Sequence, residues 1–427
     1  MRLARIVGLA LLLHGAFVVA QGSAPSKTAA APAPATAAAP ALASVSAPTS
    51  AVERGRYLAT AGNCLSCHTR AGGAPMAGGV AFDTPFGTVY STNITPDRDT
   101  GIGEWTAADL RRAMHEGVDR DGASLIPAFP YTSFTKVSDA DVADIYAYLR
   151  TVPAVRYTPP DNGLLMRMRW GVTLWQKMYF TPERFVPDRA KSAEWNRGAY
   201  LIEGLGHCSA CQTPRNKAMA ERKIAAYEGG VISDEVAPGK TGTWFAVNLT
   251  SAKHGLGSWS VTDIEKYLRT GVSARAGTFG PMNEVIVNST RLLTPEDLHA
   301  MAVYVKSLPG AAFAGTRVSS EQAAAGAGIY KERCQKCHGE SGRGGFFMGP
   351  PLAGSAVTQG EDPASLINVI VHGPSLPKGM KFGAWETMQA YADVLDDAEV
   401  AAVSNYVRGS WGNEAGPVSA EQVRAAR

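Results

Sequence analysis

Three short segments of the chain place two cysteines three residues apart. The first, Cys64-Leu-Ser-Cys67-His68, has a histidine directly after the second cysteine. In such a segment each thiol can add to a vinyl group of haem, and the histidine, in the same helical turn, can bind the iron. The third segment, Cys334-Gln-Lys-Cys337-His338, repeats this pattern, whereas the middle segment, Cys208-Ser-Ala-Cys211-Gln212, ends in glutamine. The predicted chemistry of these segments is covalent attachment of haem c.

Paired cysteines have two other common uses. Two pairs could share a tetrahedral zinc ion, and a single pair could form a redox disulfide. Zinc sites usually take their ligands from within a few dozen residues, but Cys64, Cys208 and Cys334 are 144 and 126 residues apart. Because these separations are the size of a domain, the spacing favours haem at the first and third segments.

The middle segment departs from the pattern at Gln212. A glutamine side chain offers a neutral amide oxygen, which is a poor donor to haem iron beside an imidazole nitrogen. His207 precedes Cys208 and so lies on the other side of the cysteine pair from the usual ligand. We expect two haems, at Cys64/Cys67 and Cys334/Cys337. The segment around Cys208 and Cys211 should keep its fold but bind haem weakly, abnormally or not at all.

The elements that must position these segments also repeat. A capping side chain stands three residues before a carboxylate, as at the start of a helix, in Ser138-Asp-Ala-Asp141, Thr294-Pro-Glu-Asp297 and Asp396-Asp-Ala-Glu399. Apolar or small residues at helical spacing follow each start, and Tyr148, Tyr304 and Tyr406 take the same place in all three. The repeat predicts an all-α fold of three tandem cytochrome c-type domains with long loops rich in Gly and Pro.

The chain divides into seven predicted parts. These are a signal peptide (1–20), a disordered Ala/Pro-rich linker (21–51), cytochrome c domains at 52–155, 191–312 and 318–414, a linker (156–190) and a C-terminal tail (415–427). The signal peptide is indicated by Arg2 and Arg5 before a short apolar run, which predicts export to the periplasm. The net charge of +3 gives no general attraction for nucleic acid.

A haem iron bound by one histidine usually takes a second ligand on its far side, and methionine sulfur there raises the redox potential. In the third domain Met388 is the first choice and Met380 the second, and in the middle domain it is Met282. The matching place in the first domain holds Phe129, which cannot bind iron. The candidates left for that haem are Met76, Met114 and His115.

The linker contains a segment, 164–180, that is dense in large apolar side chains and also carries cations. As a helix it would align Met168, Val172, Trp175 and Tyr179 in one apolar stripe. Such a stripe could lie on a membrane interface or on a partner subunit, or pack against the neighbouring domains.

With these motifs in place, the chain from about Val52 to Gln422 resembles a known family. The residues that carry the resemblance are Thr84-Pro-Phe-Gly-Thr-Val-Tyr-Ser-Thr-Asn-Ile-Thr-Pro96, Ile126-Pro-Ala-Phe-Pro-Tyr131, Trp195-Asn-Arg-Gly-Ala-Tyr-Leu201, Gly206-His207-Cys208 and Asn405-Tyr-Val-Arg-Gly-Ser-Trp-Gly412. The family is the multihaem cytochrome c subunits of membrane-associated alcohol, gluconate, sorbitol and fructose dehydrogenases, with a branch that serves aldehyde and molybdenum hydroxylase enzymes. It has histidine where this chain has Gln212.

The resemblance implies a periplasmic subunit that accepts electrons from a catalytic subunit of quinoprotein, flavoprotein or molybdenum type. It would pass them to ubiquinone or another respiratory acceptor. Peripheral contact with the outer face of the inner membrane would then depend on the partner or on segment 164–180. The residues themselves also indicate electron transfer without catalysis, because a haem with two protein ligands has no open position for substrate. The alternative is a peroxidase-like enzyme that uses the first haem, with His115 as its acid or base.

Overall fold

The chain folds into many short helices joined by long loops, as the repeated helix starts predict. The computed structural model describes residues 50–163, 168–345, 348–374, 376 and 385–427. The predicted signal peptide and all but the last two residues of the predicted linker 21–51 lie outside this part. The helices are α1 (Ala51–Ala61), α2 (Cys64–Cys67), α3 (Ala107–Glu116), α4 (Tyr131–Phe134), α5 (Asp139–Leu149), α6 (Arg169–Tyr179), α7 (Ala193–Tyr200), α8 (Ser209–Gln212), α9 (Val261–Thr270), α10 (Met282–Asn288), α11 (Pro295–Ser307), α12 (Ser320–Ala325), α13 (Ala327–Ile329), α14 (Gln335–His338), α15 (Ala364–His372), α16 (Asp397–Gly409) and α17 (Ala420–Ala426).

Two antiparallel hairpins accompany the helices and were not predicted from the sequence. They are formed by β1 (Ala81–Thr84) with β2 (Gly87–Tyr90), and by β3 (Gly230–Ala237) with β4 (Lys240–Ala246). Single π-helical turns at Leu201–Leu205 and Tyr330–Cys334 lead into the second and third cysteine segments. The chain is therefore rich in helix, as expected for cytochrome c, but it is not purely helical.

The first region (51–155), the middle region (191–312) and the third region (318–427) each contain one cysteine segment. In each region a glycine lies where an opening helix crosses a closing helix. A Cβ atom at Gly55, Gly198 or Gly326 would lie 1.8, 2.0 or 2.1 Å from the carbonyl oxygen of Asp144, Ala300 or Ala402 respectively. No other residue allows so close an approach of the two backbones. The tyrosines that the sequence repeat aligns, Tyr148, Tyr304 and Tyr406, lie at the same three crossings.

The three closing helices begin where the sequence predicts. The side chains of Ser138, Thr294 and Asp396 each accept a hydrogen bond from the backbone N–H three residues later. The apolar stripes behind these caps are buried, as at Ile145 and Met301. These helix starts and stripes are confirmed.

The first and middle regions share one hydrophobic core, whereas the third region has its own. Two matching contacts join the shared core. The Tyr57 hydroxyl donates to Asp297 at 2.6 Å and accepts from the Thr294 N–H at 3.2 Å. In the same way the Tyr200 hydroxyl donates to Asp141 and accepts from the Ser138 N–H. The first two regions thus pack as an approximately twofold pair inside one chain.

The β3–β4 hairpin joins the middle region to the third region. The Ser365 hydroxyl accepts from the Phe245 N–H and donates to the Phe245 carbonyl, at 2.9 Å each. The Asn368 amide donates to the Thr243 carbonyl at 2.7 Å. The middle region therefore contacts both of its neighbours.

Two segments outside the predicted cytochrome c domains contain helices. Residues 415–427, predicted as a tail, contain α17, and Val418 and Val423 are buried in the core of the third region. The predicted linker 156–190 contains α6, which packs on its neighbours through Val172 and Trp175. None of the helices in the described residues is both long and apolar enough to cross a membrane.

Candidate haem centres

The three cysteine segments lie in short helices of the same kind, α2, α8 and α14. The residue after the second cysteine is held identically in all three. Its backbone carbonyl accepts from a glycine N–H in each case: His68 from Gly78 at 2.7 Å, Gln212 from Gly229 at 2.8 Å, and His338 from Gly344 at 2.8 Å. Gln212 therefore occupies the place of the two histidines, and the middle segment keeps the backbone of its neighbours.

Both histidines are oriented by a backbone carbonyl. His68 Nδ1 lies 2.7 Å from the Thr92 carbonyl oxygen, and His338 Nδ1 lies 2.8 Å from that of Pro350. Because a carbonyl can only accept, Nδ1 carries the proton and the Nε2 lone pair is available to a metal. Burial lowers the pKa of both rings, which favours this neutral form. The two segments thus present the donor that haem iron requires.

The cysteines suit thioether attachment. All six are partly buried, and none forms a disulfide. Burial raises the pKa of the Cys64 and Cys334 thiols to about 11, and that of Cys67 and Cys208 to about 12. Such thiols are neutral at pH 7 and lie in surroundings of low polarity, as expected beside a porphyrin edge. The described residues contain no group of three or more His, Cys, Asp or Glu side chains that could hold a metal ion.

His207 does not replace the missing histidine. Its backbone is left-handed, with a φ of 37°, and Asn63 has the same conformation at the matching place before Cys64. Its ring Nε2 lies 3.3 Å from the Gly62 carbonyl, and the ring packs edge-on against Phe134, with centroids 5.5 Å apart. His207 therefore contributes to the packing between the first and middle regions.

The positions at which a second iron ligand is expected, Phe129 in the first region and Met282 in the middle region, correspond in structure. Gly117 and Gly271 cap the ends of α3 and α9. The Gly117 carbonyl accepts from the Leu125 N–H, and the Gly271 carbonyl accepts from the Thr278 N–H, at 2.7 Å each. Phe129 and Met282 both stand four residues further on. Phe129 is half-buried and packs 5.3 Å from the Phe134 ring, and Met282 is half-buried at the start of α10.

In the third region Met388 is half-buried and packs against the core of that region. Met380, the second choice from the sequence, lies outside the described residues. Met388 therefore remains the far-side candidate for the haem of this region.

The other candidates for the first haem lie at three different places in the first region. Met76 belongs to the loop beside His68, where its carbonyl accepts from the Ile94 N–H at 2.9 Å. Met114 is buried in the shared core. His115 is fully buried with Nδ1 3.4 Å from Asp139, and burial lowers its pKa to about 4. The His115 ring is therefore neutral at pH 7.

The first and middle segments lie close to each other. The Asn288 amide, at the end of α10, donates to the Ser66 hydroxyl between the first pair of cysteines at 2.8 Å. Besides burial and Cys64, the nearby Cys211 contributes to raising the pKa of the Cys67 thiol. The sequence shows no sign of this contact, because the two segments are more than 100 residues apart.

Comparison with known proteins places the chain among cytochromes. The family described as "Cytochrome c" matches residues 52–153, and "Cytochrome C oxidase, cbb3-type, subunit III" matches 321–407. The cytochrome c subunit of the quinone alcohol dehydrogenase of Gluconacetobacter polyoxogenes is 38% identical over 397 residues, which cover 89% of this chain and 84% of the relative. The gluconate 2-dehydrogenase cytochrome c subunit of Pantoea cypripedii is 38% identical over 399 residues, 88% and 89% respectively. The fructose dehydrogenase cytochrome subunit of Gluconobacter japonicus is 33% identical over 416 residues, which cover 88% of this chain and 82% of that protein.

Proposed function

The chain belongs to the family of cytochrome c subunits of alcohol and gluconate dehydrogenases, and we propose from this premise that it carries electrons away from a catalytic dehydrogenase subunit. The proposed acceptor is ubiquinone or another respiratory component, and the proposed location is the periplasm. The partner would be a quinoprotein, flavoprotein or molybdenum enzyme. The chain itself would carry out no catalysis.

The observation that carries this proposal is the pairing of His68 and His338 with backbone carbonyls. Haem c, when bound, supplies the transfer of single electrons. The protein's part is to hold the ring: the Thr92 carbonyl fixes the tautomer and the angle of His68, and the Pro350 carbonyl does the same for His338. A fixed ligand needs little rearrangement when the charge of its metal changes, which suits an electron carrier.

The proposed haem content is two, bound at Cys64/Cys67 with His68 and at Cys334/Cys337 with His338. Met388 would be the second protein ligand of the haem in the third region. In the first region, where Phe129 takes the matching place, Met76, Met114 and His115 are the candidates. The middle region, with Cys208 and Cys211, would serve mainly to connect the other two. It contacts the first through Tyr57 and Asn288 and the third through Ser365.

The test is purification of the exported full-length chain together with any subunit that accompanies it. We expect a catalytic dehydrogenase subunit in the complex, and reduction of the haem when the substrate of that subunit is added. The variant His338→Gln, which copies the middle segment, should lose the third-region haem and slow the reduction of the acceptor. A preparation without haem, or haem that stays oxidised in a complex with active dehydrogenase, would contradict the proposal.

A further inference from the structure

Arg408, in α16, is a buried arginine that donates to backbone carbonyls. It is the one Lys or Arg side chain that is buried in the described part of the chain. Its guanidinium donates to the carbonyls of Gly416 at 2.7 Å, Gly360 at 3.0 Å and Thr358 at 3.1 Å. These acceptors are neutral, so the hydrogen bonds hold the side chain in place without cancelling its positive charge.

The charge of Arg408 is retained at neutral pH. Burial lowers the pKa of its guanidinium to about 10, and the carboxylate of Asp362 acts in the opposite direction. Asp362 is partly buried, and its Oδ1 accepts from the Ala364 N–H at the start of α15, at 2.8 Å. A charge inside a protein is screened weakly by water and salt, and it therefore acts over a longer distance than a charge at the surface.

One loop of the third region connects Arg408 to the histidine of the cysteine segment. The Pro350 carbonyl, at the start of this loop, lies 2.8 Å from His338 Nδ1. Two residues later the Leu352 carbonyl accepts from the Thr358 hydroxyl at 3.0 Å, and the Thr358 carbonyl in turn accepts from Arg408. The guanidinium thus holds the far end of the loop that orients the His338 ring.

The first region holds its corresponding loop with a neutral side chain. The Thr92 carbonyl orients His68, and the next residue, Asn93, is buried. The Asn93 amide donates to the Val155 carbonyl at 2.7 Å and to the Tyr157 carbonyl at 3.2 Å. Both histidines are therefore oriented by a loop that buried side chains hold, but the buried side chain is charged in the third region and neutral in the first.

We propose that Arg408 sets the redox potential of the third region: its buried charge raises the potential of the haem held by His338, and its contacts keep the loop of Pro350 in place. Reduction removes one positive charge from the iron, so a buried cation in the same region stabilises the reduced form. The neutral Asn93 gives the first region no such stabilisation. Electrons would then run from the first region to the third. The inference rests on the proposed two-haem content and adds the direction of transfer, which that proposal leaves open.

The test is a redox titration of the full-length protein, followed by haem absorption. We expect Arg408→Met to lower the higher of the two haem potentials and to leave the other unchanged. Arg408→Lys keeps the charge but cannot bond all three carbonyls. It should restore most of the potential, while the electron paramagnetic resonance signal of the oxidised third-region haem is shifted, because the loop that orients His338 is held less firmly.

The matched control is Arg424→Met, also in the third region. The Arg424 side chain is 75% exposed and lies 3.3 Å from Asp397, which keeps a second partner in Arg427. This variant should change neither potential, because water and salt screen an exposed charge.

Asp362→Asn provides a test in the opposite direction. The amide oxygen can still accept from the Ala364 N–H, so α15 should begin as before, but the carboxylate that partly offsets Arg408 is removed. We expect the potential of the third-region haem to rise. This result decides the proposal even where the urea unfolding midpoint shows that Arg408→Met does not fold.

Three results would overturn the proposal. The first is a folded Arg408→Met protein that binds both haems and keeps both potentials. The second is an unchanged or lower potential in Asp362→Asn. The third is an equal loss of potential in Arg408→Lys and Arg408→Met, which would assign the effect to the contacts and not to the charge. Each of these rejects this inference alone, whereas an unaltered protein without haem at Cys334 and Cys337 would reject the proposed function.

Discussion

The middle and third regions hold the same backbone around their cysteines but differ in what stabilises them. The third region has His338 and a hydrophobic core of its own. The middle region has Gln212, shares its core with the first region, and contacts the third through Ser365. The contacts of the middle region with both neighbours stabilise its fold, and this stabilisation does not depend on a haem. This explains how the middle segment can lose a metal donor and still keep the Gly229 contact to the Gln212 carbonyl.

The largest effect should come from restoring the donor in the middle region. We expect Gln212→His to raise the haem content from two to three per chain, because the backbone and both cysteines are already in place. Intact mass and the haem to protein ratio measure the change. The control Gln212→Asn should leave the content at two. Three haems in the unaltered protein, with Cys208 and Cys211 in thioether linkage, would mean that the two regions do not differ in this way.

The second largest effect should come from removing the candidate methionine ligand, Met388 in the third region or Met282 in the middle region. Met388→Ala should lower the potential of one haem by a sizeable part of the roughly 0.8 V range that axial ligands cover, without releasing the haem. Met282→Ala should leave both potentials unchanged, since the middle region is expected to be empty. A redox titration of the two variants provides the measurement. If Met388 only fills the core, its removal should cost about 2–5 kcal/mol of stability and leave the potentials unaltered.

The sequence predicted best what depends on neighbouring residues. The starts of α5, α11 and α16 follow from Ser138, Thr294 and Asp396, each of which bonds a backbone N–H three residues away. The cysteine segments and their histidines are likewise local. A pattern within one helical turn contains all the information that these features need.

Contacts between distant residues could not be predicted. Tyr57 and Asp297 are 240 residues apart, and the twofold relation of their regions has no local signal. The face that α6 buries depends on Gly117 and Ala218, which belong to different regions. In contrast, α17 was predictable, because Ser419 and Gln422 form a capping box that is visible in the sequence.

His115 of the first region is fully buried in the last turn of α3. Burial lowers the folded-state pKa of His115 from 6.5 to about 4, so the unfolded chain binds more protons between these values. Stability is therefore lost as the pH falls from about 6.5 to 4, by roughly 3 kcal/mol at most. Urea unfolding at pH 7 and pH 4.5 should show a smaller acid loss for His115→Gln than for the unaltered protein. Equal acid losses in the unaltered protein and His115→Gln would exclude a buried neutral ring.

The smallest expected effect tests the shared core directly. Tyr57→Phe and Tyr200→Phe each remove one hydroxyl that both donates to a carboxylate and accepts from a helix N-terminus. We expect each substitution to lower the free energy of unfolding by about 1–3 kcal/mol. The two losses should be similar, because the two contacts are related by the twofold arrangement.

The third region has Gly328 at the matching place, where a Cβ would meet no atom within 4 Å. Hydrogen exchange should therefore become faster in α5 and α11 but not in α16. Tyr146→Phe, which removes a hydroxyl contact to the Trp105 carbonyl within the first region, is the control and should leave α11 unaffected. If only one of the two tyrosines matters, or if α16 loosens as well, the first and middle regions are not the separate pair that their shared core indicates.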